Sequence, residues 1–503
     1  MKASIVADKD FTISKIDDRV YGAFLEHLGR AIYEGIYEPD HPTADANGMR
    51  GDVAKLVKDL NIPVVRYPGG NFVSAYNWED GVGPRDQRPT RLDLAWHSSE
   101  SNAVGVHEFA DWCDTVGTKL MLAVNLGSRG VDAARNFLEY VNHPGGSYWS
   151  DLRIKNGRKE PWDVKLWCLG NEMDGPWQVG HKDADEYGKL AANTARAMRM
   201  FDSSLELIVC GSSHSEMPTF PDWERIVLEH TYDHVDHISL HMYFANREKN
   251  TAEYLALNHK LDRYIETVAS TIRQMKHKKR SKRDIYISFD EWNVWYHSNK
   301  RDRAILDGKA GWPHAPSLLE DIYNFEDVLM VGLILNTFIR RSDVVKIACI
   351  AQLVNVIAPI MTEKGGPAWA QTIYYPYYFA SIHGRGTALD LVVRSPGYVS
   401  GHCDDTPYVD AAGVHNEEEG ALTFFLVNRH ATESADVELS LQGFASGRII
   451  DHQVMTHSDL EAVNTAQNRT EVAPRNGSGA TVEGGTVHVK LPPYSYQMVR
   501  VKV

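Results

Sequence analysis

One short apolar segment stops at an amide and a carboxylate, Val164-Lys165-Leu166-Trp167-Cys168-Leu169-Gly170-Asn171-Glu172. Its composition is typical of a buried strand. Two polar groups at the end of such a strand need hydrogen-bond partners that an apolar core does not provide. In a (β/α)8 barrel the carboxyl ends of the strands carry the chemistry, so a Glu at this position is a candidate catalytic residue. We therefore interpret the segment as a barrel strand that ends in a functional Asn171-Glu172 pair.

A second segment of the same kind follows further along the chain, Asp284-Ile285-Tyr286-Ile287-Ser288-Phe289-Asp290-Glu291-Trp292-Asn293. It again places a Glu close to an Asn at the end of an apolar strand. Two strands of one barrel that end in this way bring Glu172 and Glu291 to the same rim. The sequence therefore predicts a pair of carboxyl groups at one site.

Apolar segments of this type alternate with longer amphipathic ones up to about residue 360. Eight strands are predicted, at Arg19–Leu25, Pro63–Tyr67, Lys119–Asn125, Val164–Leu169, Leu205–Cys210, His234–Met242, Asp284–Phe289 and Val345–Val354. Helices with one apolar face are predicted at Gly51–Asn61, Ala184–Phe201, Ala252–Met275 and Leu318–Arg340. Such alternation indicates a parallel sheet, and eight units favour a closed (β/α)8 barrel over an open one. The sequence contains no Gly-rich phosphate-binding fingerprint, which argues against a nucleotide-binding fold.

The sequence pattern changes after about residue 375, where amphipathic helical patterns disappear. Alternating residues predict strands at Tyr408–Val414, Ala421–Asn428, Ala435–Leu441, Arg448–Met455, Val482–Leu491 and Tyr494–Val503. They predict an antiparallel β-sandwich, which the isolated strand expected within Lys2–Ile16 is predicted to complete. The predicted domains are a barrel over 15–375 and a sandwich over 376–503 with 1–14. All twelve tryptophans precede the sandwich, so its expected role is structural.

Composition and charge exclude several classes of protein. The formal net charge of −14 argues against a nucleic-acid partner. The longest apolar run, Val328–Leu335, is too short to span a bilayer, and Asp8, Lys9 and Asp10 interrupt any secretory segment. The five cysteines are scattered without a CxxC motif, which is typical of reduced thiols. We expect a cytoplasmic protein with no membrane partner.

Every predicted barrel strand delivers a polar residue to one rim: Glu26-His27, Arg66 with Asn71, Asn125, Asn171-Glu172, Ser212-Ser213, His241 with Tyr243, Glu291 with Asn293, and Gln352. A glycosidic bond is cleaved by two carboxyl groups while amides and hydroxyls hold the sugar. We assign Glu172 as the acid/base and Glu291 as the nucleophile. Arg66 or Tyr243 is expected to stabilise the anion of the nucleophile.

Two other interpretations of these residues remain open from the sequence. The strand-end acids could be members of structural ion pairs. The histidines of the sixth strand, His234, His237 and His241, could suggest a metal, but their spacing lacks a zinc-binding motif. We therefore predict neither metal nor cofactor, and expect His241 to face the pocket as a hydrogen-bonding partner.

The chain resembles glycoside hydrolase family 51, the α-L-arabinofuranosidases. Four stretches in order carry this resemblance, Tyr21-Gly22-Ala23-Phe24-Leu25-Glu26-His27-Leu28-Gly29-Arg30, Val65-Arg66-Tyr67-Pro68-Gly69-Gly70-Asn71-Phe72, Leu169-Gly170-Asn171-Glu172-Met173-Asp174-Gly175 and Phe289-Asp290-Glu291-Trp292-Asn293-Val294-Trp295. The resemblance extends over nearly the whole chain. It implies a (β/α)8 barrel with a C-terminal jelly roll, and a retaining reaction with Glu172 as acid/base and Glu291 as nucleophile.

The resemblance also implies which residues hold the sugar. Contacts to the furanose are expected from Glu26, Asn71, Asn171, Tyr243 and Gln352. Arg66 is expected to support the nucleophile, while Trp96 and Trp295 are expected to wall the pocket or touch the aglycone. Family members often assemble as hexamers, which implies a homo-oligomer.

The function favoured by the sequence is a retaining exo-acting α-L-arabinofuranosidase that acts on arabinose-containing oligosaccharides derived from arabinan or arabinoxylan. An endo-glycanase or β-xylosidase of the same clan is the first alternative, and it would need an open groove in place of a pocket. A non-catalytic sugar-binding barrel protein is the second alternative. The presence of both glutamates speaks against it.

Overall fold

The computed structural model describes residues 1–298, 300–445 and 447–503. Within these residues, eight parallel strands form a closed barrel, at Gly22–Phe24, Val64–Tyr67, Lys119–Val124, Leu166–Leu169, Glu206–Cys210, His237–Phe244, Tyr286–Val294 and Val345–Ala351. Neighbours around the barrel follow chain order, and the eighth strand pairs with the first to close it. The predicted (β/α)8 barrel is confirmed.

Helices follow the barrel strands and cover the outside of the barrel. They lie at Gly51–Asp59, Val106–Val116, Val131–Asn142, Tyr148–Lys155, Ala184–Phe201, Asp222–Thr231, Thr251–Leu255, Leu257–Lys279, Arg303–Leu306, Phe325–Arg340 and Tyr374–His383. The helix predicted from Leu318 begins only at Phe325, because Asn324 and Asp327 form a reciprocal N-terminal cap. The segment predicted as one helix from Ala252 divides into two at Ala256.

The barrel strands differ from their predicted bounds by one to five residues, and the first and seventh strands show why. The first strand is shorter, because Asp17 accepts a hydrogen bond from the backbone of Arg19 and the chain forms a 3-10 turn at Asp18–Tyr21. The seventh strand is longer and includes Glu291. Its pairing with the eighth strand shifts register between Phe289 and Trp292, which marks an irregularity of the kind often found beside active sites.

The helix Phe325–Arg340 joins the barrel to the strands of the C-terminal region. Its residues are buried from Phe325 to Ile339, because one side packs on the barrel and the other on the sandwich. At its C-terminal end Arg340 donates to Asp410 of the sandwich at 2.9 Å. At Gly332 the ring of Tyr496 approaches so closely that a Cβ atom would lie 2.7 Å from a ring carbon. This interface holds the two parts of the molecule together.

The sandwich consists of two sheets with an apolar core between them. Its strands lie at Lys2–Asp8, Thr12–Lys15, Thr387–Leu389, Val392–Arg394, Val409–Asn416, Ala421–Asn428, Ala435–Gln442, Arg448–Thr456, Arg475–Asn476, Thr481–Glu483, Thr486–Leu491 and Ser495–Lys502. Shorter pairs join Arg91–Asp93 to Ser98–Glu100, Ile360–Thr362 to Ala368–Ala370 and Gly397–Tyr398 to Thr406–Pro407.

Both N-terminal strands join these sheets. The strand Thr12–Lys15 pairs with Thr387–Leu389 of the larger sheet. The strand Lys2–Asp8 lies parallel to Ala435–Gln442, so this one pair departs from the predicted antiparallel sandwich. The physical reason is that this strand arrives from the far end of the chain and not through a hairpin.

Two further expectations concern the cysteines and membranes. All five cysteines are free thiols, as predicted, and Cys113, Cys168, Cys210 and Cys349 are buried. Among the described helices we find no segment that combines the length and apolarity needed to cross a bilayer.

Candidate active site

The carboxyl ends of the barrel strands surround a cavity of about 570 Å³. Eight of the eleven residues predicted for the site line it: Glu26, Asn71, Trp96, Glu172, Tyr243, Glu291, Trp295 and Gln352. The other three, Arg66, Asn171 and His241, are buried directly behind the lining and bond to it. The barrel therefore brings the predicted residues to one place.

The two glutamates face each other across this cavity. Both are largely buried, with Glu172 9% and Glu291 5% exposed. One carboxylate oxygen of Glu172 lies within 4.8 Å of a carboxylate oxygen of Glu291. Retaining glycosidases keep their carboxyl groups about 5–5.5 Å apart, whereas inverting ones leave roughly 6.5–9.5 Å for a water molecule. The observed spacing fits retention.

Glu291 is held at both oxygens. Arg66 Nη1 donates to Oε1 at 2.7 Å, and the hydroxyl of Tyr243 donates to Oε2 at 2.8 Å. Burial raises the pKa of Glu291, while the cationic side chains of His241 and Arg66 oppose that shift. These two cations and the Tyr243 hydroxyl favour the ionised carboxylate that a nucleophile needs.

Glu172 lies just beyond the fourth barrel strand, on a sharp turn. Its φ of 43° is in the left-handed region, and Gly170 before it has a φ of 90°, which glycine adopts without strain. The carboxylate accepts from Trp177 Nε1 at 2.7 Å, and His241 Nδ1 lies 2.8 Å from its other oxygen. The turn and these two contacts fix the acid/base candidate over the cavity.

His241 connects the two catalytic candidates to a buried acid. Its Nε2 lies 2.9 Å from Asp290 Oδ1, and its Nδ1 lies 3.5 Å from Glu291 Oε2 as well as close to Glu172. Burial opposes protonation, but Glu291, Asp290 and Glu172 together raise the pKa of His241 to about 10. At neutral pH the ring is therefore an imidazolium that donates at both nitrogens.

The contacts of His241 also indicate whether this cluster is a metal site. Glu172, His241 and Glu291 lie close enough to one another to hold a metal ion. In the structure both ring nitrogens of His241 already bond carboxylates, Nδ1 to Glu172 at 2.8 Å and Nε2 to Asp290 at 2.9 Å. The geometry therefore favours the predicted hydrogen-bonding role of His241.

The floor of the cavity is formed by the residues predicted to hold the sugar. Glu26 Oε1 accepts from the backbone N–H of Phe72 at 2.7 Å and from Trp96 Nε1 at 3.0 Å. Gln352 Oε1 accepts from the backbone N–H of Glu26 at 2.9 Å. Burial, and secondarily the charge of Glu291, raises the pKa of Glu26 to about 8. At neutral pH the carboxyl is thus largely protonated and offers both a donor and an acceptor to a hydroxyl group.

Two amides and one tryptophan complete the surroundings. Asn171 Oδ1 accepts from Arg66 Nη2 at 2.6 Å, and its Nδ2 lies 3.4 Å from Asn71 Oδ1. Asn171 thus contacts Arg66 and Asn71, and it is not part of the cavity lining. Trp295 packs edge-to-face against Tyr243 with ring centroids 5.4 Å apart, which places an indole on the wall.

Comparison with known proteins places the chain in a family. Family models for the α-L-arabinofuranosidase 1 domain and the α-L-arabinofuranosidase C-terminal domain match residues 56–264 and 290–495. The intracellular exo-α-(1→5)-L-arabinofuranosidase of Halalkalibacterium halodurans is 55% identical, over 100% of this chain and 99% of its own. The intracellular exo-α-(1→5)-L-arabinofuranosidase 1 of Bacillus subtilis is 56% identical with the same coverage.

Solved structures agree with these relatives. AbfB, a family 51 α-L-arabinofuranosidase from Bifidobacterium longum, has a TM-score of 0.94 at 43% identity and 99% coverage of each chain. The chain belongs to the α-L-arabinofuranosidases of glycoside hydrolase family 51. A second arabinofuranosidase, the arabinose complex of the Thermotoga maritima enzyme, has a TM-score of 0.89 at 32% identity, covering 100% of each chain. A bifunctional glucanase-xylanase, CelM2, has a TM-score of 0.59 at 13% identity, which shows a shared fold alone.

Sequence reasoning missed two residues of the arabinofuranosidase site. Asp290 is fully buried beside Arg66 and His241, and its pKa is lowered by these cations despite burial. Its position next to Glu291 was the available signal, but simple strand alternation puts neighbours on opposite faces. Trp177 follows Glu172 by five residues on a loop, where nothing in the sequence indicates that its indole turns back to the carboxylate.

The far wall of the arabinofuranosidase cavity was also largely missed. Ser213, three residues after the end of the fifth strand, was expected at the rim, and it lines the cavity with Ser215. Glu216 and Lys260 line the same wall and form an ion pair. Arg247, after the sixth strand, lies at the outer edge. These residues come from loops whose course could not be predicted from local patterns.

Replacing Glu26 with Gln should stabilise the folded enzyme, and more so at pH 8 than at pH 5. The folded protein keeps a proton on Glu26 up to about pH 8, whereas the unfolded chain loses it near pH 4.5, so folding becomes costlier as pH rises between these values. Gln removes this cost, about 4 kcal/mol at pH 8 and about 1 kcal/mol at pH 5. Thermal unfolding of both proteins at pH 5 and pH 8 measures the difference. An equal change in Tm at the two pH values would contradict a raised pKa at Glu26.

Proposed function

We propose that this exo-acting α-L-arabinofuranosidase releases terminal arabinofuranosyl units by a retaining double displacement. Glu291 is the nucleophile and Glu172 is the acid/base. The observation that carries this proposal is the approach of the two carboxylates to within 4.8 Å across the cavity, each with different partners. The cationic neighbours of Glu291 stabilise the ionised carboxylate that attacks the sugar. Glu172 instead accepts a hydrogen bond from Trp177 on the cavity wall.

In the first step, a carboxylate oxygen of Glu291 attacks the anomeric carbon and the bond to the leaving oxygen breaks. Glu172 gives its proton to that oxygen, so the aglycone leaves as an alcohol and a glycosyl ester of Glu291 remains. The protonated His241 then donates to the newly formed carboxylate of Glu172 and stabilises it. Arg66 and Tyr243 orient Glu291 for the attack.

In the second step, Glu172 removes a proton from a water molecule that attacks the same carbon. The ester bond to Glu291 breaks, arabinose is released, and Glu172 is protonated again for the next cycle. Two inversions at one carbon give net retention. Both carboxyl groups end the cycle as they began it.

The shape of the cavity supports removal of single terminal units. The floor is closed by Glu26, Asn71 and Gln352, which present a carboxyl group and two amides to the hydroxyls of one sugar. An endo-glycanase needs sugar positions on both sides of the scissile bond, and this closed floor leaves no path for them. The non-catalytic alternative fails because the chain is a glycosidase of this family.

The natural substrate we propose is a short α-(1→5)-linked arabino-oligosaccharide, or a fragment of arabinoxylan. The support is that relatives from Halalkalibacterium halodurans and Acetivibrio thermocellus are named exo-α-(1→5)-L-arabinofuranosidases. The same names describe intracellular enzymes, which supports action in the cytoplasm on imported oligosaccharides. We also propose a homo-oligomer, with the hexamer of the family as the expected form.

Methanol added as an acceptor should yield methyl α-L-arabinofuranoside from an aryl α-L-arabinofuranoside. In a double displacement the acceptor attacks from the face that the first leaving group occupied, so the α configuration returns. Proton NMR of the early product distinguishes the two anomers. Formation of the β-methyl glycoside would indicate a single displacement and would contradict the assignment of Glu291 as nucleophile.

A further inference from the structure

A second cavity of about 530 Å³ lies beside the catalytic one. The loops after barrel strands six and seven form two of its sides, with Lys249 on the first and Tyr296 on the second. The segment that follows the sandwich strand Arg448–Thr456 closes it with Leu460 and Glu461. The sandwich therefore contributes directly to a cavity at the catalytic end of the barrel.

The walls of the second cavity are held in place by buried polar contacts. Asn246 Nδ2 donates to both oxygens of Glu326 at 2.9 and 3.1 Å, and Thr251 donates to the same carboxylate. The backbone N–H of Glu326 donates to the carbonyl of Leu460 at 3.1 Å, which ties the sandwich segment to the barrel. On the side formed by the loop after strand seven, His297 Nε2 lies 2.8 Å from the buried carboxylate of Asp327. Because contacts of this kind hold all three sides, the cavity is a built feature and not a gap between loose loops.

Three cations line the second cavity without a protein partner. Arg247, Lys249 and Lys300 are exposed, and among the described residues no carboxylate lies within ion-pair distance of any of them. Exposed lysines elsewhere, such as Lys278 with Glu229, do form ion pairs. The chain carries a net charge of −14, so a group of unpaired cations runs against its overall balance. Two carboxylates, Glu326 and the exposed Glu461, line the same cavity. Burial raises the pKa of Glu326, whose hydrogen-bond donors are neutral, and this weakens its opposing charge, so three cations face the one exposed carboxylate of Glu461.

Arg247 lines both cavities. A substrate whose terminal arabinose occupies the catalytic cavity would leave past this residue and enter the second one. There the half-buried ring of Tyr296, tilted by 32° against the ring of His297 with centroids 4.0 Å apart, offers an aromatic surface to a sugar ring. The cations offer charge-assisted hydrogen bonds to a carboxylate.

We propose that the second cavity binds a uronic acid, a sugar that carries a carboxylate, in the part of the substrate beyond the scissile bond. This assignment rests on the proposed exo-acting function and specifies its substrate class further. Lys249 and Lys300 pair with the carboxylate, Tyr296 packs on the ring, and the sandwich supplies the outer wall. The enzyme thereby favours arabinose chains attached to an acidic sugar over equally long neutral ones.

The test uses two matched sets of arabino-oligosaccharides, two to four units long, that end in galacturonic acid or in galactose. The sets differ only in a carboxylate against a hydroxymethyl group, and the varied length places that sugar at successive distances from the scissile bond. We expect the wild-type kcat/KM at low salt to be about fivefold higher for the acidic member of at least one pair, since two exposed ion pairs contribute little each. This preference should shrink as salt is added.

The variant Lys249→Gln/Lys300→Gln should abolish the preference and leave cleavage of an aryl arabinofuranoside unchanged. Lys282→Gln is the matched control, because Lys282 is exposed and precedes barrel strand seven at the opposite end of the barrel. If wild type shows no acidic preference, or if the double variant retains it, the assignment is overturned. Failure of wild type to cleave the aryl arabinofuranoside would instead refute the proposed function itself.

Discussion

Glu291→Ala lowers kcat on any α-L-arabinofuranoside by about 10⁵-fold, because no other carboxylate can attack the anomeric carbon from its position. The loss should not depend on the leaving group, since the nucleophile is needed before any leaving group departs. Steady-state rates on an aryl arabinofuranoside and on arabinobiose measure both statements. A variant that keeps a tenth of the wild-type rate would remove Glu291 from the mechanism.

The same variant offers a second, positive result. Alanine leaves room for a small anion beside Arg66 and Tyr243, which lose their carboxylate partner. Added azide should occupy this space and attack from the face that Glu291 used, giving β-L-arabinofuranosyl azide. Glu291→Gln is the matched control, because its amide fills the space and should prevent rescue. Thermal unfolding of both variants shows whether lost activity reflects lost structure.

Glu172→Ala has an effect that depends strongly on the leaving group. For arabinobiose the leaving alcohol needs a proton, and losing the general acid should lower kcat/KM by about 10²–10⁴-fold. A dinitrophenyl arabinofuranoside leaves without a proton, so its kcat/KM should change by less than about tenfold. Its turnover should nevertheless slow, because the second step still needs Glu172 as a base.

Two measurements separate these roles of Glu172. The ratio of kcat/KM between the two substrates isolates the acid, and a burst of dinitrophenol before slow turnover reveals the missing base. Glu216→Gln is the comparison, since Glu216 lies on the far wall paired with Lys260. Equal damage to both substrates, without a burst, would contradict the acid/base role.

Much of the barrel could be predicted from the sequence because its strands are short, apolar and end in polar residues. Apolar composition sufficed to place the fourth strand, which is buried on both faces, and the Glu172 beyond it. The end of the seventh strand was harder to predict, because the irregular pairing around Glu291 extends the strand past its polar residues. Pattern rules assume regular alternation, and they fail where a sheet departs from it.

What could not be predicted depends on contacts between distant parts of the chain. The helix Tyr374–His383 was missed, since its aromatic residues and Pro376 do not resemble a surface helix. It is held by tertiary bonds, such as the hydroxyl of Tyr377 to the backbone carbonyls of Tyr21 and Gly22. It therefore packs on the start of the barrel, although the boundary predicted at 375 placed it with the sandwich. The domain boundaries themselves stay predictions.

The parallel pairing of Lys2–Asp8 with Ala435–Gln442 has a consequence for biosynthesis. The first strand leaves the ribosome long before its neighbour exists, and at about 5–20 residues per second it waits roughly 20–90 s. During that interval its apolar side, Ala3, Ile5 and Ala7, has only the short strand Val392–Arg394 to pair with, and that strand is also made late. Nascent chains should therefore be most prone to aggregation, and most dependent on chaperones, until translation passes residue 442.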